Sequence, residues 1–292
     1  MLFVVLAGFS GLVWGVGDFA GGKATQRAGA LPVVWLSKLA SLPLLALYLA
    51  LTPAPLDVGS LAWGSLAGVF GAVGVVVFYR ALSTGAMTVV APVTSVTSAV
   101  IPVVVGLAGG ERPGALSLIG VTCALVAIAL ASLAPPRPGQ VPAVDGRLVG
   151  LAVGAGVGFA LFFVFLARGD VAAGGDAGLW PVASAQVAAL VLTGLLIVAA
   201  RRRPGATGTR WPHGRPLGWT AVAGPFDMSA NALFLVATRY GDLSLVAPLA
   251  ALYPVTTVLL ALAVDGERLR PLQVVGLVLA LAALLLVGGP LG

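Results

Sequence analysis

The sequence has few of the residues that most enzymes use for catalysis. Its 292 residues include one cysteine, Cys123, and one histidine, His213, and only 9% of the residues are charged. One cysteine excludes a disulfide framework and a thiolate metal site. The chain also lacks a phosphate-binding Gly-Lys-Ser/Thr loop, and its histidine lies in a polar linker rather than in an apolar run where it would serve as an intramembrane base. We therefore expect no enzyme activity, no metal and no cofactor.

Hydrophobic residues, in contrast, make up 59% of the chain and occur in long runs. A run of about 20 apolar residues crosses the roughly 30 Å hydrocarbon core of a bilayer as an α-helix. The first run has no basic segment before it and no small-residue cleavage site, so we expect it to be a retained helix. The expected fold class is an all-α polytopic membrane protein with ten transmembrane helices, at residues 2–22, 31–51, 59–82, 86–108, 114–134, 147–167, 178–200, 216–238, 243–264 and 271–289.

The net charge of +6 comes from basic residues that lie between the apolar runs rather than on one soluble face. Such residues anchor helices at the membrane surface and set topology, so they do not indicate a nucleic-acid partner. Most of them fall in the loops after helices 1, 3, 5, 7 and 9. The positive-inside rule, taken literally, then places both chain termini outside the cell.

The first half of the sequence resembles the second in an ungapped alignment. Corresponding residues are 156 positions apart, and the matched pairs include Phe78 and Phe234, Gly85 and Gly241, Pro92 and Pro248, Glu111 and Glu267, and Gly120 and Gly276. This predicts a five-helix repeat at 1–134, a linker at 135–146 and a second five-helix repeat at 147–292. Because five is odd, the second repeat enters the membrane from the opposite side, so the repeats are inverted. Inverted repeats are typical of secondary transporters, which bind substrate near the midplane between them.

Three charged residues fall inside predicted helices: Asp18, Lys38 and Asp227. An ionisable group in the membrane is costly and therefore indicates a partner or a wet cavity. At 1.5 Å per residue the three lie about 6, 10 and 16 Å from the same membrane surface, so they can share one polar layer. Two interpretations remain open: a substrate- or proton-binding cluster, or a permanent pair of Asp18 with Lys38 and a bond from Asp227 to Asn231.

The fourth and ninth predicted helices carry internal prolines and hydroxyl groups. Pro92 and Pro248 are expected to bend these helices, which the backbone tolerates where protein or water satisfies the freed carbonyls. Thr94 lies on a hydroxyl-bearing face that would suit a midplane cavity. The alternative is that such hydroxyls bond to their own helix backbone.

Aromatic residues are expected to form the apolar walls of this cavity. Trp14 lies deeper than the other tryptophans, and Tyr79 and Tyr253 lie near the ends of helices or at a proline, although Tyr79 also fits an interfacial anchor. Between helices, Glu111 is expected to cap the helix that follows it. The predicted substrate-binding residues are Trp14, Asp18, Lys38, Tyr79, Thr94, Asp227, Asn231 and Tyr253.

The chain resembles the drug/metabolite transporter superfamily, specifically the EamA-type ten-helix exporters. The residues that carry the resemblance are Trp14-Gly15, Ala91-Pro92 with Gly110-Glu111-Arg112, Ala247-Pro248 with Gly266-Glu267-Arg268, Gly120, Gly276, and the stretch from Asp227 to Glu267. The resemblance implies two five-helix repeats around a cavity lined mainly by helices 1, 3, 4, 6, 8 and 9. It also implies ATP-independent export or exchange of small metabolites such as amino acids across a bacterial inner membrane. Family members have both termini in the cytoplasm, opposite to the orientation that the arginines indicate.

These features together predict a secondary transporter that exports small metabolites by alternating access. Asp227 motivates the hypothesis that transport is coupled to protons. The expected partners are a small-molecule substrate and the lipid bilayer, with the protein a monomer or homodimer. The alternative is a passive pore or a lipid scramblase.

Overall fold

The apolar runs fold into helices in a computed structural model that describes residues 1–82, 87–133, 145–202, 210–265 and 270–289. Nine helical stretches in these ranges are long and apolar enough to span a membrane, and a tenth is a shorter apolar helix of 17 residues. The chain is thus an all-α polytopic membrane protein of about ten spans. The helices are α1 (Leu2–Thr25), α2 (Ala30–Ala40), α3 (Leu42–Leu51), α4 (Val58–Leu82), α5 (Met87–Ala108), α6 (Ala115–Ala131), α7 (Gly146–Ala172), α8 (Trp180–Arg201), α9 (Arg215–Thr238), α10 (Leu243–Ala250), α11 (Tyr253–Asp265) and α12 (Pro271–Gly288).

Two predicted helices are in fact broken. The predicted helix 31–51 consists of α2 and α3, which meet at Ser41, and the predicted helix 243–264 consists of α10 and α11. A proline follows each break, Pro43 in α3 and Pro254 in α11. Proline has no N–H for the carbonyl four residues earlier, and its ring clashes with that carbonyl, so the helix cannot continue unchanged. Each break therefore leaves backbone carbonyls inside the spanning region without their usual helical N–H donor.

The helices of the first half pack mainly against those of the second half. α4 packs against α7 and α8, and α9 packs in the same way against α1 and α2. The closest approaches correspond as well: a Cβ atom on Gly68 would overlap the Ala185 carbonyl, and one on Gly224 would overlap the Ser37 carbonyl. Gly68 and Gly224 are 156 positions apart, the offset of the sequence repeat. Small residues therefore allow equivalent close contacts of the backbones in both halves.

The loops between successive spans alternate between two faces of the helix bundle. We call one the Glu111 face, formed by residues 52–57, 109–114, 173–179 and 239–242, and the other the Arg210 face, formed by residues 26–29 and 210–214. Hydrogen bonds connect segments within each face, as from the indole of Trp180 at the start of α8 to the Ala54 carbonyl and from the Gly29 N–H to the Arg210 carbonyl. Residues 135–144 of the predicted linker and the Gly266-Glu267-Arg268 motif lie outside the described residues.

Candidate functional site

An ion pair lies between spanning helices near the Arg210 face. The Lys38 Nζ atom in α2 is 2.5 Å from Oδ2 of Asp227 in α9, and the Asn231 amide donates to the same oxygen at 3.1 Å. Gly224, one turn before Asp227, allows this approach because α2 and α9 come into backbone contact there. The side chains of Lys38 and Asp227 remain 17% and 35% exposed. Lys38 therefore pairs with Asp227 rather than with Asp18, and the pair remains partly accessible.

Asp18 lies next to this pair but is bonded to neither member. The exposed apolar residues of α1 lie on one face, and Asp18 lies on the opposite face with the buried residues Ala7 and Trp14. The Asp18 carboxylate interacts electrostatically with Asp227 and Lys38. Within the described ranges it forms no hydrogen bond and no ion pair, yet it is exposed. An inward-facing, exposed carboxylate indicates a water-accessible space between the helices.

This space continues toward the Arg210 face along α1. Gly22, one turn after Asp18 on the same face, has no atom of another described segment within 4 Å of where a Cβ would lie. In the opposite direction, Trp14 is buried between Phe163 and Phe234, with ring centroids 5.2 and 5.8 Å away. The two phenylalanine rings are themselves 5.0 Å apart. The three rings close the space on the side of the Glu111 face. Trp14, which is predicted from the sequence to contact a solute, is one of these rings.

The break between α2 and α3 supports the position of Lys38. The Gln186 amide of α8 donates to the Lys38 carbonyl at 3.1 Å and also contacts the Ser41 hydroxyl, which itself donates to the same carbonyl at 2.8 Å. The amide and the hydroxyl thereby satisfy a carbonyl at the helix break. Broken helices with satisfied backbone groups are found in membrane proteins where they line a cavity.

Tyr253 reaches the site from the other broken span. It is the first residue of α11, and its hydroxyl lies close to the Ser95 and Ser98 side chains of α5 and to Asp18. The Tyr253 carbonyl would lie 2.7 Å from a Cβ on Gly15, so the glycine lets α1 and α11 pack directly together. Tyr253 therefore connects both halves of the bundle beside Asp18.

The remaining predicted site residues have different surroundings. Thr94 is buried, and its hydroxyl donates 2.9 Å to the Ala152 carbonyl, which ties α5 to α7. Pro92 lies within the continuous helix α5, whereas Pro248 lies two residues before the end of α10. The side chain of Tyr79 lies outside the described part of the chain.

On the Glu111 face, the carboxylate of Glu111 binds the second half of the chain. Its two oxygens accept hydrogen bonds from the backbone N–H groups of Leu243 and Ser244, at 2.9 and 2.8 Å, and so cap α10. The expectation that Glu111 caps the next helix is wrong, because the loop returns its carboxylate across the bundle to α10. The cap is charge-assisted and lies at the positive end of the helix dipole.

A second link on this face was not predicted from the sequence. Arg239 binds both carboxylate oxygens of Asp170, at 3.0 and 2.7 Å, and also donates to the Gly178 carbonyl. The Asp170 side chain is only 6% exposed, and it lies within α7, which extends to Ala172 rather than ending at the predicted residue 167. The only sequence signal is the single carboxylate in Arg168-Gly169-Asp170, which needs a cationic partner if its helix continues.

Comparisons with known proteins agree with this architecture. Residues 146–289, which carry Asp227, Asn231 and Tyr253, match the EamA-like transporter family. A search of the curated proteins gives no match. Among the solved structures, the crystal structure of one protein aligns over 97% of this chain and 95% of that protein's chain, with a TM-score of 0.74 and 17% sequence identity. This similarity shows a shared fold. The resemblance drawn from the sequence is confirmed: the chain belongs to the drug/metabolite transporter superfamily, with an EamA-like transporter domain in its second half.

Proposed function

We propose that this membrane transporter is a secondary transporter whose substrate binds at Asp18, Lys38 and Asp227. The observation that carries the proposal is the exposed Asp18 carboxylate, which has no bonded partner among the described residues, beside the Lys38–Asp227 ion pair inside spanning helices. Charged groups in the membrane are costly to retain and usually serve transport or binding. We further propose that the site lies between two inverted repeats, at 1–134 and 147–292.

The chemistry of the site fits a small zwitterionic or amphipathic metabolite such as an amino acid. Asp18 offers a carboxylate to an ammonium group, and Lys38 offers an ammonium group to a carboxylate once Asp227 releases it. A proton taken up by the Asp227 carboxylate would neutralise it and weaken its attraction for Lys38, which couples proton binding to substrate binding. Tyr253 would contact the apolar part of the solute.

Alternating access requires that one face be closed while the other is open. The aromatic cluster around Trp14 lies between the site and the Glu111 face, and the Glu111 cap on α10 and the Arg239–Asp170 pair lie on that face. The open space at Gly22 leads to the Arg210 face. We propose that this conformation is open to the Arg210 face and that export across a bacterial inner membrane involves breaking the links on the Glu111 face.

Flux into proteoliposomes tests the proposal, with a panel of radiolabelled amino acids as the probe. We expect saturable uptake of at least one amino acid, increased by an imposed pH gradient and abolished by a protonophore. Asp227→Asn is expected to lose the pH dependence, whereas Asp176→Asn, which removes an exposed loop carboxylate, is expected to behave like wild type. Downhill flux that never saturates, unchanged in Asp227→Asn, would instead indicate a passive pore.

A further inference from the structure

A basic pocket lies on the Arg210 face, outside the site described above. Its volume is about 610 Å³, and its lining consists of Arg27, Arg210, Trp211, His213, Arg215 and Pro216. The Gly29 N–H donates 2.8 Å to the Arg210 carbonyl, so the loop after α1 is bonded to the segment that leads into α9. The cationic side chains from these two segments converge on one cavity.

Among the residues that the structure describes, no carboxylate pairs with the charges in this pocket. The sequence has no aspartate or glutamate between Asp18 and Asp57 or between Asp176 and Asp227, so neither segment that forms the pocket brings a carboxylate. Arg27, Arg210 and Arg215 make no ion pair within the described ranges. Three guanidinium groups therefore share a cavity with no anion from their own segments.

The start of α9 adds to the positive potential of this pocket. The helix begins at Arg215, and its N-cap residue, Gly214, has no side chain with which to cap the first N–H groups. A helix N-terminus carries partial positive charge and favours an anion, so an arginine here is unfavourable without one. Gly214 has a φ of 59°, in the left-handed region that favours glycine, which sets the turn between His213 and Arg215.

The pocket is also built for the membrane–water interface. The Trp211 ring packs edge-on against Trp35 with centroids 5.9 Å apart, and the Arg201 guanidinium lies 5.4 Å from the centre of the Trp211 ring. Tryptophan favours the headgroup layer of a bilayer, where its ring contacts apolar groups and its N–H can donate a hydrogen bond. Basic pockets between spanning helices at this depth bind anionic lipid headgroups.

We infer that this pocket binds the phosphate headgroup of an anionic phospholipid from the leaflet on the Arg210 face. Arginine suits this role because its planar guanidinium bonds phosphate oxygens in pairs. The acyl chains would extend along the apolar outer surface of the helices. The inference concerns a lipid site and does not depend on which substrate the protein transports.

Native mass spectrometry and thermal unfolding of the purified full-length protein test this inference. Phosphatidylglycerol, cardiolipin, phosphatidylcholine and inorganic phosphate are added separately to protein in a neutral detergent. We expect wild type to retain and be stabilised by the two anionic lipids but not by phosphatidylcholine or phosphate. In Arg27→Gln/Arg210→Gln/Arg215→Gln the affinity for anionic lipid is expected to fall roughly a hundredfold, since each arginine near the headgroups contributes several-fold.

A matched control changes the same amount of charge elsewhere. Arg112→Gln/Arg147→Gln/Arg168→Gln removes three exposed arginines that do not line the pocket, and it is expected to bind anionic lipid like wild type. If the pocket variant does not fold, the single variants Arg27→Gln and Arg215→Gln must each weaken lipid binding. Equal losses in both triple variants, no loss in the single variants, or no preference for anionic lipid would overturn the inference. Equal protection by inorganic phosphate would show a soluble-anion pocket instead.

Discussion

Replacement of Glu111 by glutamine should weaken the link between the two halves on the Glu111 face. The Glu111 carboxylate accepts two backbone hydrogen bonds, from Leu243 and Ser244, at the N-terminus of α10. A glutamine side chain has one carbonyl oxygen and turns an amide N–H toward the second donor. Hydrogen bonds to a charged group contribute about 1.5–3 kcal/mol, and a favourable charge at a helix end adds about 0.3–1 kcal/mol. Since the glutamine carbonyl can still accept one of the two hydrogen bonds, we expect a net loss of about 2 kcal/mol in the free energy of unfolding.

The assay is thermal unfolding of the purified protein in detergent. A loss of about 2 kcal/mol corresponds to a decrease in Tm of about 3 °C for a protein of this size. Asp57→Asn is the matched control, because Asp57 caps Ser60 at 2.6 Å within its own half and asparagine is an equally good cap. An unchanged Tm for Glu111→Gln, or an equal decrease in both variants, would refute the proposed link.

Three further predictions concern packing, an ion pair and pH. Gly224→Ala should cost about 1–3 kcal/mol or more, because its Cβ overlaps a carbonyl of the facing helix, whereas Gly218→Ala in the same helix meets open space and should be neutral or stabilising. Arg239→Gln leaves the Asp170 carboxylate buried without its partner and should cost about 3–5 kcal/mol in denaturation experiments, while the double variant with Asp170→Asn should recover most of this loss. Burial and a neighbouring glutamate raise the pKa of Asp242 above its ordinary value of 3.8, which disfavours its ionised form in the folded protein. Replacement of Asp242 by asparagine should therefore stabilise the protein slightly at pH 7, and Tm scans should show this gain decreasing as the pH falls toward 3.8.

The positions of the spans could be predicted from the sequence because hydrophobic length alone specifies a transmembrane helix. The two helix breaks could not, because proline is tolerated in both broken and continuous membrane helices. Pro92 lies within a continuous helix, whereas Pro43 and Pro254 follow breaks. The difference depends on tertiary partners such as Gln186, which bonds the carbonyl at the first break.

The sequence predicts which charged residues form the candidate site but not which of them form the ion pair. The rise per residue places Asp18, Lys38 and Asp227 at comparable depths, and the structure brings all three together. Which carboxylate binds Lys38 depends on helix rotation and on the backbone contact at Gly224, and these are set by packing across the whole bundle. The partner of Glu111 was missed for the same reason, since it lies in the other half of the chain.

Ligand-induced stabilisation is the most direct test of the claim that Asp18, Lys38 and Asp227 form the substrate site. Purified protein is heated with each member of a library of amino acids and related metabolites, at pH 6 and pH 8. A ligand at a hundredfold excess over its Kd stabilises the folded protein by about 2.7 kcal/mol. The account predicts at least one selective ligand that stabilises wild type and Asp176→Asn but not Asp18→Asn or Asp227→Asn. Equal stabilisation of all four proteins, or no stabilisation of wild type by any ligand at either pH, would contradict it.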